Sequence, residues 1–113
     1  MSKRRNKRRF PFRVYEPVFR AVVEVRVVEA AGHLCAYTQT EQLEDGSLQY
    51  AICLTDPADF YTLLHECVHL VKAIFRDRGI PFSGKADEAV AYYQGWWFRT
   101  LWRQCGRKKG KKG

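Results

Sequence analysis

Alternation of apolar and polar residues predicts strands in the first half of the chain. Within residues 18–29, Val23, Val25 and Val27 fall on one side of an extended backbone, and the charged residues between them fall on the other. A period of two with several valines is typical of a strand that buries one face. The Ala-Ala-Gly segment at 30–32 ends this strand.

A β-hairpin is predicted next, because the runs at 34–42 and 47–55 flank Asp45-Gly46, a strong two-residue turn sequence. A two-residue turn there pairs Tyr37 with Leu54 and puts both on the same side of the sheet. The inward side of the second strand then carries Leu48, Tyr50, Ile52 and Leu54.

The second half of the chain changes to helical spacing. We expect a helix from Pro57 to about Asp77, with Asp56 as its cap and Gly79 ending it. A second helix is expected at about 85–104, and the short connection makes the two helices an antiparallel pair. The predicted fold class is therefore α+β, a small antiparallel or mixed sheet of about three strands packed on these two helices.

Charge divides the 113-residue chain into one domain and two tails. Residues 1–13 and 103–113 hold 13 of the 20 Lys and Arg residues and no acid, which leaves 7 basic and 12 acidic residues between them. We expect basic disordered tails at 1–13 and 106–113 around a folded domain at 14–105. Such tails bind nucleic acid non-specifically or only keep the protein in solution. The candidate contacts are Lys3, Arg4, Arg5, Lys7, Arg8, Arg9, Arg107, Lys108, Lys109, Lys111 and Lys112.

Composition also restricts the cellular setting. The four cysteines form no C-x-x-C pair, and the N-terminal residues lack the apolar segment of a secretory signal. No apolar run approaches the roughly 20 residues that span a bilayer. We therefore expect reduced thiols, a cytoplasmic protein and no membrane partner.

The chemistry is concentrated in His65-Glu66-Cys67-Val68-His69, an H-E-x-x-H motif within the first predicted helix. Residues four apart lie on one helix face, so His65 and His69 can bind one metal ion. Glu66 is rotated about 100° from His65, which suits a base acting on a metal-bound water. The simpler alternative is a solvated polar helix face.

A catalytic zinc site needs a third protein ligand. Glu88, near the start of the second helix, is the preferred candidate because the antiparallel pairing returns it toward His69. Asp87 is the neighbouring alternative, and His33 is the one other histidine of the sequence. Tyr92 lies one turn beyond Glu88, where a hydrogen-bonding partner for a ligand would lie.

The motif at 65–69, together with the Asp-Glu-Ala-Val-Ala-Tyr segment at 87–92, resembles zincin-like metallopeptidases whose third ligand is a glutamate. More narrowly, it is similar to uncharacterised tailed-phage proteins that pair an H-E-C-x-H helix with an E-A-x-A-Y helix. The resemblance covers about residues 55–99. It implies a minimal zincin-like fold, one Zn²⁺ on His65, His69 and Glu88, and Glu66 as general base.

The resemblance also implies an edge strand beside the metal helix, which the strand at 47–55 could provide. For the residue that stabilises the oxyanion, Tyr37, Tyr50 and His33 are candidates by residue type. The expected function is a zinc metallopeptidase acting on a protein or peptide, in the host cytoplasm if the chain is phage-encoded. The alternative is a catalytically idle zincin-like phage protein that binds nucleic acid or a host protein.

Overall fold

The computed structural model describes residues 10–29, 36–81 and 87–106. Within these ranges, four strands form one mixed sheet in the order β1-β2-β4-β3. In chain order they are β1 (Phe12–Glu16), β2 (Ala21–Val27), β3 (Ala36–Gln42) and β4 (Leu48–Leu54). β2 runs antiparallel to β1 and parallel to β4, whereas β3 runs antiparallel to β4. The sheet with its two helices confirms the α+β class.

The sheet has one strand more than expected. β1 begins at Phe12, so Phe12 and Arg13 belong to the sheet, and the predicted tail boundary at residue 13 is wrong. The alternation predicted for 18–29 is confirmed within β2, where Val23 and Val25 are fully buried.

The hairpin turn differs from the predicted two-residue turn. The Leu43 N–H donates to the Ser47 carbonyl at 2.8 Å, which leaves three residues, 44–46, in the loop. Gly46 has a φ of 89°, as the last position of such a loop requires. Tyr37 therefore pairs with Cys53 instead of Leu54. The extra loop residue shifts the register by one and turns every β3 side chain to the other face of the sheet.

The sheet order corrects the expectation that the strand at 47–55 forms an edge. β4 pairs on both sides, with β2 and with β3, so the strand at 47–55 is internal and β3 forms the edge. The inward row of β4 is confirmed for Tyr50, Ile52 and Leu54, which are fully buried. Leu48 is 38% exposed, because it lies at the end of the strand.

Two helices, α1 (Phe60–Asp77) and α2 (Asp87–Cys105), cover one face of the sheet. α1 starts three residues later than expected, because Asp59 and not Asp56 caps it by accepting from the Thr62 N–H at 3.1 Å. Its predicted end is confirmed. Gly79 has a φ of 72° and donates to the Arg76 carbonyl, which closes the last turn.

The antiparallel pairing of the helices is confirmed by aromatic contacts. Phe60, at the start of α1, contacts Phe98 and Trp102 in the second half of α2. Phe75, near the end of α1, contacts Tyr93 near the start of α2, with 5.7 Å between ring centroids. Helices, β2 and β4 share one core, whose largest members are Trp97, Tyr50, Phe75, Ile52, Leu54 and Leu63.

Within the described ranges, neither helix combines the length and apolar character needed to cross a membrane.

Candidate metal and catalytic site

The two histidines of the H-E-x-x-H motif meet on the exposed side of α1. Their Nε2 atoms lie 3.2 Å apart, and the ring centroids are separated by 4.8 Å. α-Helical geometry brings side chains at i and i+4 together, and both rings turn the same nitrogen toward the space between them. The pair thus presents two nitrogen donors to a single point.

The separation of these nitrogens fits a tetrahedral zinc ion. Zinc–imidazole bonds of 2.0–2.1 Å at a tetrahedral angle place two ligand nitrogens roughly 3.3 Å apart. His65 and His69 match that spacing, and their exposure leaves the point between them open to solvent. Two of the three protein positions of a catalytic site are therefore available from one turn of α1.

Glu66 lies between α1 and the edge of the sheet. Its side chain is 5% exposed, and its Oε1 accepts a hydrogen bond from the Thr38 hydroxyl of β3 at 2.7 Å. The same hydroxyl lies 3.3 Å from the Glu66 carbonyl oxygen. Hydrogen-bond donors of this kind offset the cost of burying a carboxylate. β3 thereby fixes the carboxylate beside the histidine pair.

Cys67, the central residue of the motif, points into the core. It is fully buried, and burial raises the pKa of its thiol to about 12, with smaller contributions from Cys105 and Glu66. Because it packs within the core, Cys67 does not face the point between the two histidines.

A groove of about 840 Å³ runs along this site between α1 and β3. One wall is the edge strand, from Ala36 to Thr40, and the other is the exposed side of α1. The α1 wall and the adjoining turn contribute His65, Glu66, His69, Lys72, Ala73, Arg76 and Ile80. The histidine pair and the Glu66 carboxylate therefore face a space large enough for an extended peptide.

Glu88 does not join the histidines. It precedes Tyr93 by five residues on α2, whereas His69 precedes Phe75 by six on α1. Phe75 contacts Tyr93 and the helices are antiparallel, so His69 and Glu88 lie on opposite sides of that contact along the helix axes. The two offsets therefore add, and they separate Glu88 from His69 by about 16 Å along the axes. Glu88 is exposed, as is its neighbour Asp87. The expectation that either acid returns to His69 is therefore not met, because the helices pack with a different offset.

The described ranges contain no group of three or more His, Cys, Asp and Glu side chains arranged to hold a metal ion. His33, the other histidine considered as a ligand, lies outside the described residues, as do the eleven tail residues considered for nucleic-acid contacts.

Two of the three tyrosines considered as supporting groups, Tyr50 and Tyr92, lie away from the groove. The Tyr50 hydroxyl donates to Asp77 Oδ2 at 2.8 Å at the end of α1, and burial raises the pKa of Tyr50 to about 12. Tyr92 is 76% exposed and borders a different cavity, with Phe19 and Trp96.

The register of β3 determines whether Tyr37 or Thr38 faces α1. Tyr37 lines the groove as part of β3, but it pairs with Cys53, so its side chain lies on the sheet face opposite α1. A hydrogen bond to Cys53 there raises the pKa of the Tyr37 hydroxyl. Thr38 takes the inward position instead. Sequence reasoning missed Thr38, although the run of polar residues at 38–42 is typical of a strand at the edge of a sheet.

Comparison of the chain with protein-family models, with curated proteins and with solved structures finds no match. The likeness to zincin-like peptidases thus rests on the motifs of the sequence.

Proposed function

We propose that this protein is a metal-dependent hydrolase that cleaves a peptide bond, with His65 and His69 binding one zinc ion and Glu66 acting as general base. The observation that carries the proposal is the 3.2 Å separation of the two Nε2 atoms next to a buried carboxylate. A solvated polar helix face does not require a buried glutamate held by a neighbouring strand.

Each residue of the site has a separate role in the proposed hydrolysis. A zinc ion held by His65 and His69 would lower the pKa of a bound water and polarise the scissile carbonyl. Glu66 takes a proton from the attacking water and returns it to the leaving amine. Thr38 holds the Glu66 carboxylate in place through its hydroxyl. The open edge of β3 offers backbone groups that can bind an extended substrate.

The proposed chemistry is zincin-like: two histidines of α1 bind the metal ion, and a glutamate of the same helix acts as base. It is supported by the fit of the histidine pair and by a groove bounded by an edge strand. Expected substrates are extended, flexible protein segments, because the groove is open along its length.

The test compares the full-length protein with Glu66→Gln, using Glu44→Gln in the exposed hairpin turn as matched control. Zinc content is measured by mass spectrometry, and cleavage by sequencing the new termini released from a peptide library. We expect Glu66→Gln to retain zinc and lose cleavage by about 100-fold or more. Equal cleavage by Glu66→Gln, or no cleavage by zinc-loaded wild type, would overturn the proposal.

A second candidate function is a catalytically idle protein that binds nucleic acid or a host protein. The segregation of 13 positive charges into the terminal segments favours it, since clustered Lys and Arg residues bind polyanions.

A further inference from the structure

One face of α2 is exposed along most of the length of the helix. Its residues follow one another at steps of three or four, which keeps them on one side of the helix, and all five are exposed: Glu88, Tyr92, Gly95, Arg99 and Arg103. We call this surface the outer face of α2. The opposite side of the helix carries the fully buried Trp97 and Leu101, which pack into the core. The outer face therefore points away from the core.

Gly95 lies at the centre of the outer face, and the packing of the described residues does not account for it. A glycine in the middle of a helix is destabilising relative to alanine. The backbone at Gly95 is helical, and a Cβ added to it would meet no atom within 4 Å among the described residues. The glycine thus leaves room at a point where a second helix can approach the backbone of α2 closely.

The charges of the outer face are separated by sign on the two sides of Gly95. Glu88 precedes Gly95 by about 10.5 Å along the helix axis, whereas Arg99 and Arg103 follow it by about 6 and 12 Å. Within the described part of the chain, none of the three forms an ion pair. Arg99 lies six residues before the end of α2, so attraction to the helix dipole, which is confined to the last turn, does not account for it.

We propose that the outer face of α2 binds the same face of a second copy of this chain, in a two-fold symmetric dimer whose helices cross antiparallel at Gly95. The two-fold axis places Glu88 of each copy between Arg99 and Arg103 of the other, because their distances from the crossing point match. Each charge then meets the opposite sign, and each contact occurs twice. This self-complementary order favours a second copy over a different protein, since one surface supplies both halves of the interface.

The exposed aromatic ring of this face has a partner in the same arrangement. Tyr92 is 76% exposed and precedes Gly95 by about 4.5 Å along the axis, so it lies beside Arg99 of the second copy, where its ring can stack on the guanidinium group. Two helices that cross at about 20° separate by only about 4 Å at 12 Å from the crossing point. Side chains of this length span such a gap, so all of these pairs remain in reach.

The dimer is independent of the proposed function, because the groove residues named above lie on β3, on α1 and in the turn that follows α1. The first test is sedimentation velocity of the full-length chain at concentrations from about 5 to about 200 µM. We expect the sedimentation coefficient to rise with concentration from that of a monomer to that of a dimer. A chain that stays monomeric throughout would overturn the proposal and would leave the outer face of α2 to a different protein.

Charge reversal tests which surface the two copies use. Glu88→Lys makes the charges of the outer face all positive, and R99E/R103E makes them all negative. Each variant alone should dimerise at least about tenfold more weakly than wild type, whereas an equimolar mixture of the two should recover the dimer. Glu44→Lys in the exposed hairpin turn makes the same charge change as Glu88→Lys and should dimerise as wild type does. An equal loss in Glu44→Lys, or a mixture that stays monomeric, would overturn the proposal.

Gly95→Gln provides a test that does not change charge. The larger side chain has open space in the single copy, so circular dichroism should show an intact fold with an unchanged or raised melting temperature. In the dimer it holds the two helices apart, and we expect the dissociation constant to rise by about tenfold or more. A dimer as tight as that of wild type would show that the copies meet at another surface, and it would overturn the proposal.

Discussion

The Thr38 hydroxyl donates to Glu66 Oε1 at 2.7 Å and joins the edge strand to the face of α1 that carries the histidine pair. The contact spans 28 residues of sequence, and the carboxylate it stabilises is 5% exposed. A buried charged acceptor that loses its donor costs more than an exposed one, because water does not replace the lost bond. The position of Glu66 therefore depends on the strand as much as on its own helix.

Replacing Thr38 with valine should destabilise the protein through this contact. Thr38→Val keeps the side-chain shape and strand propensity but removes the donor, so we expect a loss of about 1–3 kcal/mol in the free energy of unfolding. Urea denaturation followed by tryptophan fluorescence measures it. Thr40→Val is the control, because Thr40 lies two residues further along β3 on the same face. This substitution should change the free energy of unfolding by less than about 0.5 kcal/mol. Equal effects of the two substitutions would refute the role of the Thr38 hydroxyl.

Local patterns predicted the elements well and their long-range arrangement less well. The alternation in β2, the helical spacing of α1 and Gly79 at its end could be predicted because each depends on neighbours in sequence. The sheet order could not, because the internal place of β4 depends on its parallel pairing with β2. No local pattern specifies that partner.

One additional loop residue explains why the predicted and observed residues of β3 beside α1 differ. The turn at Asp45-Gly46 includes a third residue, and this shift exchanges Tyr37 for Thr38 on the face toward α1. The histidine pair was predictable because it lies within a single helical turn. The place of Glu88 was not, because it depends on how Phe75 and Tyr93 set the offset between two helices.

Acid should weaken the ion pair on the outer face of the sheet. Arg26 donates to both carboxylate oxygens of Glu41, at 2.7 and 2.8 Å, and lowers the pKa of Glu41 from its ordinary value of 4.5 to about 2. A lowered pKa in the folded state gives stability that is complete above about pH 5 and is lost as pH falls toward 2.

Glu41→Gln tests this dependence. Since the pair is partly exposed, we expect the substitution to cost about 1–2 kcal/mol at pH 7 and little at pH 2. Guanidinium titrations at the two pH values measure the difference, with Glu44→Gln in the exposed turn as control. A penalty that stayed constant with pH would show that the charge of Glu41 does not contribute.

Deleting the basic ends tests the second candidate function. Removing residues 1–9 and 107–113 eliminates eleven positive charges and leaves every described strand and helix intact. If these ends bind nucleic acid, the full chain should be retained on a DNA column at low salt and released as salt rises, and the truncated chain should not be retained. Zinc content should be equal in both. A full chain that never binds DNA or RNA would rule out the second function.

The ligand set of the proposed metal site is tested by separate alanine substitutions. Because the His65 and His69 nitrogens lie 3.2 Å apart, we expect His69→Ala to lower zinc affinity by about 100-fold or more. Glu88→Ala should lower it by less than about threefold, because the offset between the helices holds Glu88 about 16 Å from His69 along their axes. Competition with a zinc-binding dye measures both affinities, and His33→Ala completes the series. If Glu88→Ala loses zinc as His69→Ala does, the helices in the metal-bound protein must pack with another offset. Glu88 would then be the third zinc ligand, as the resemblance to zincin-like peptidases implies.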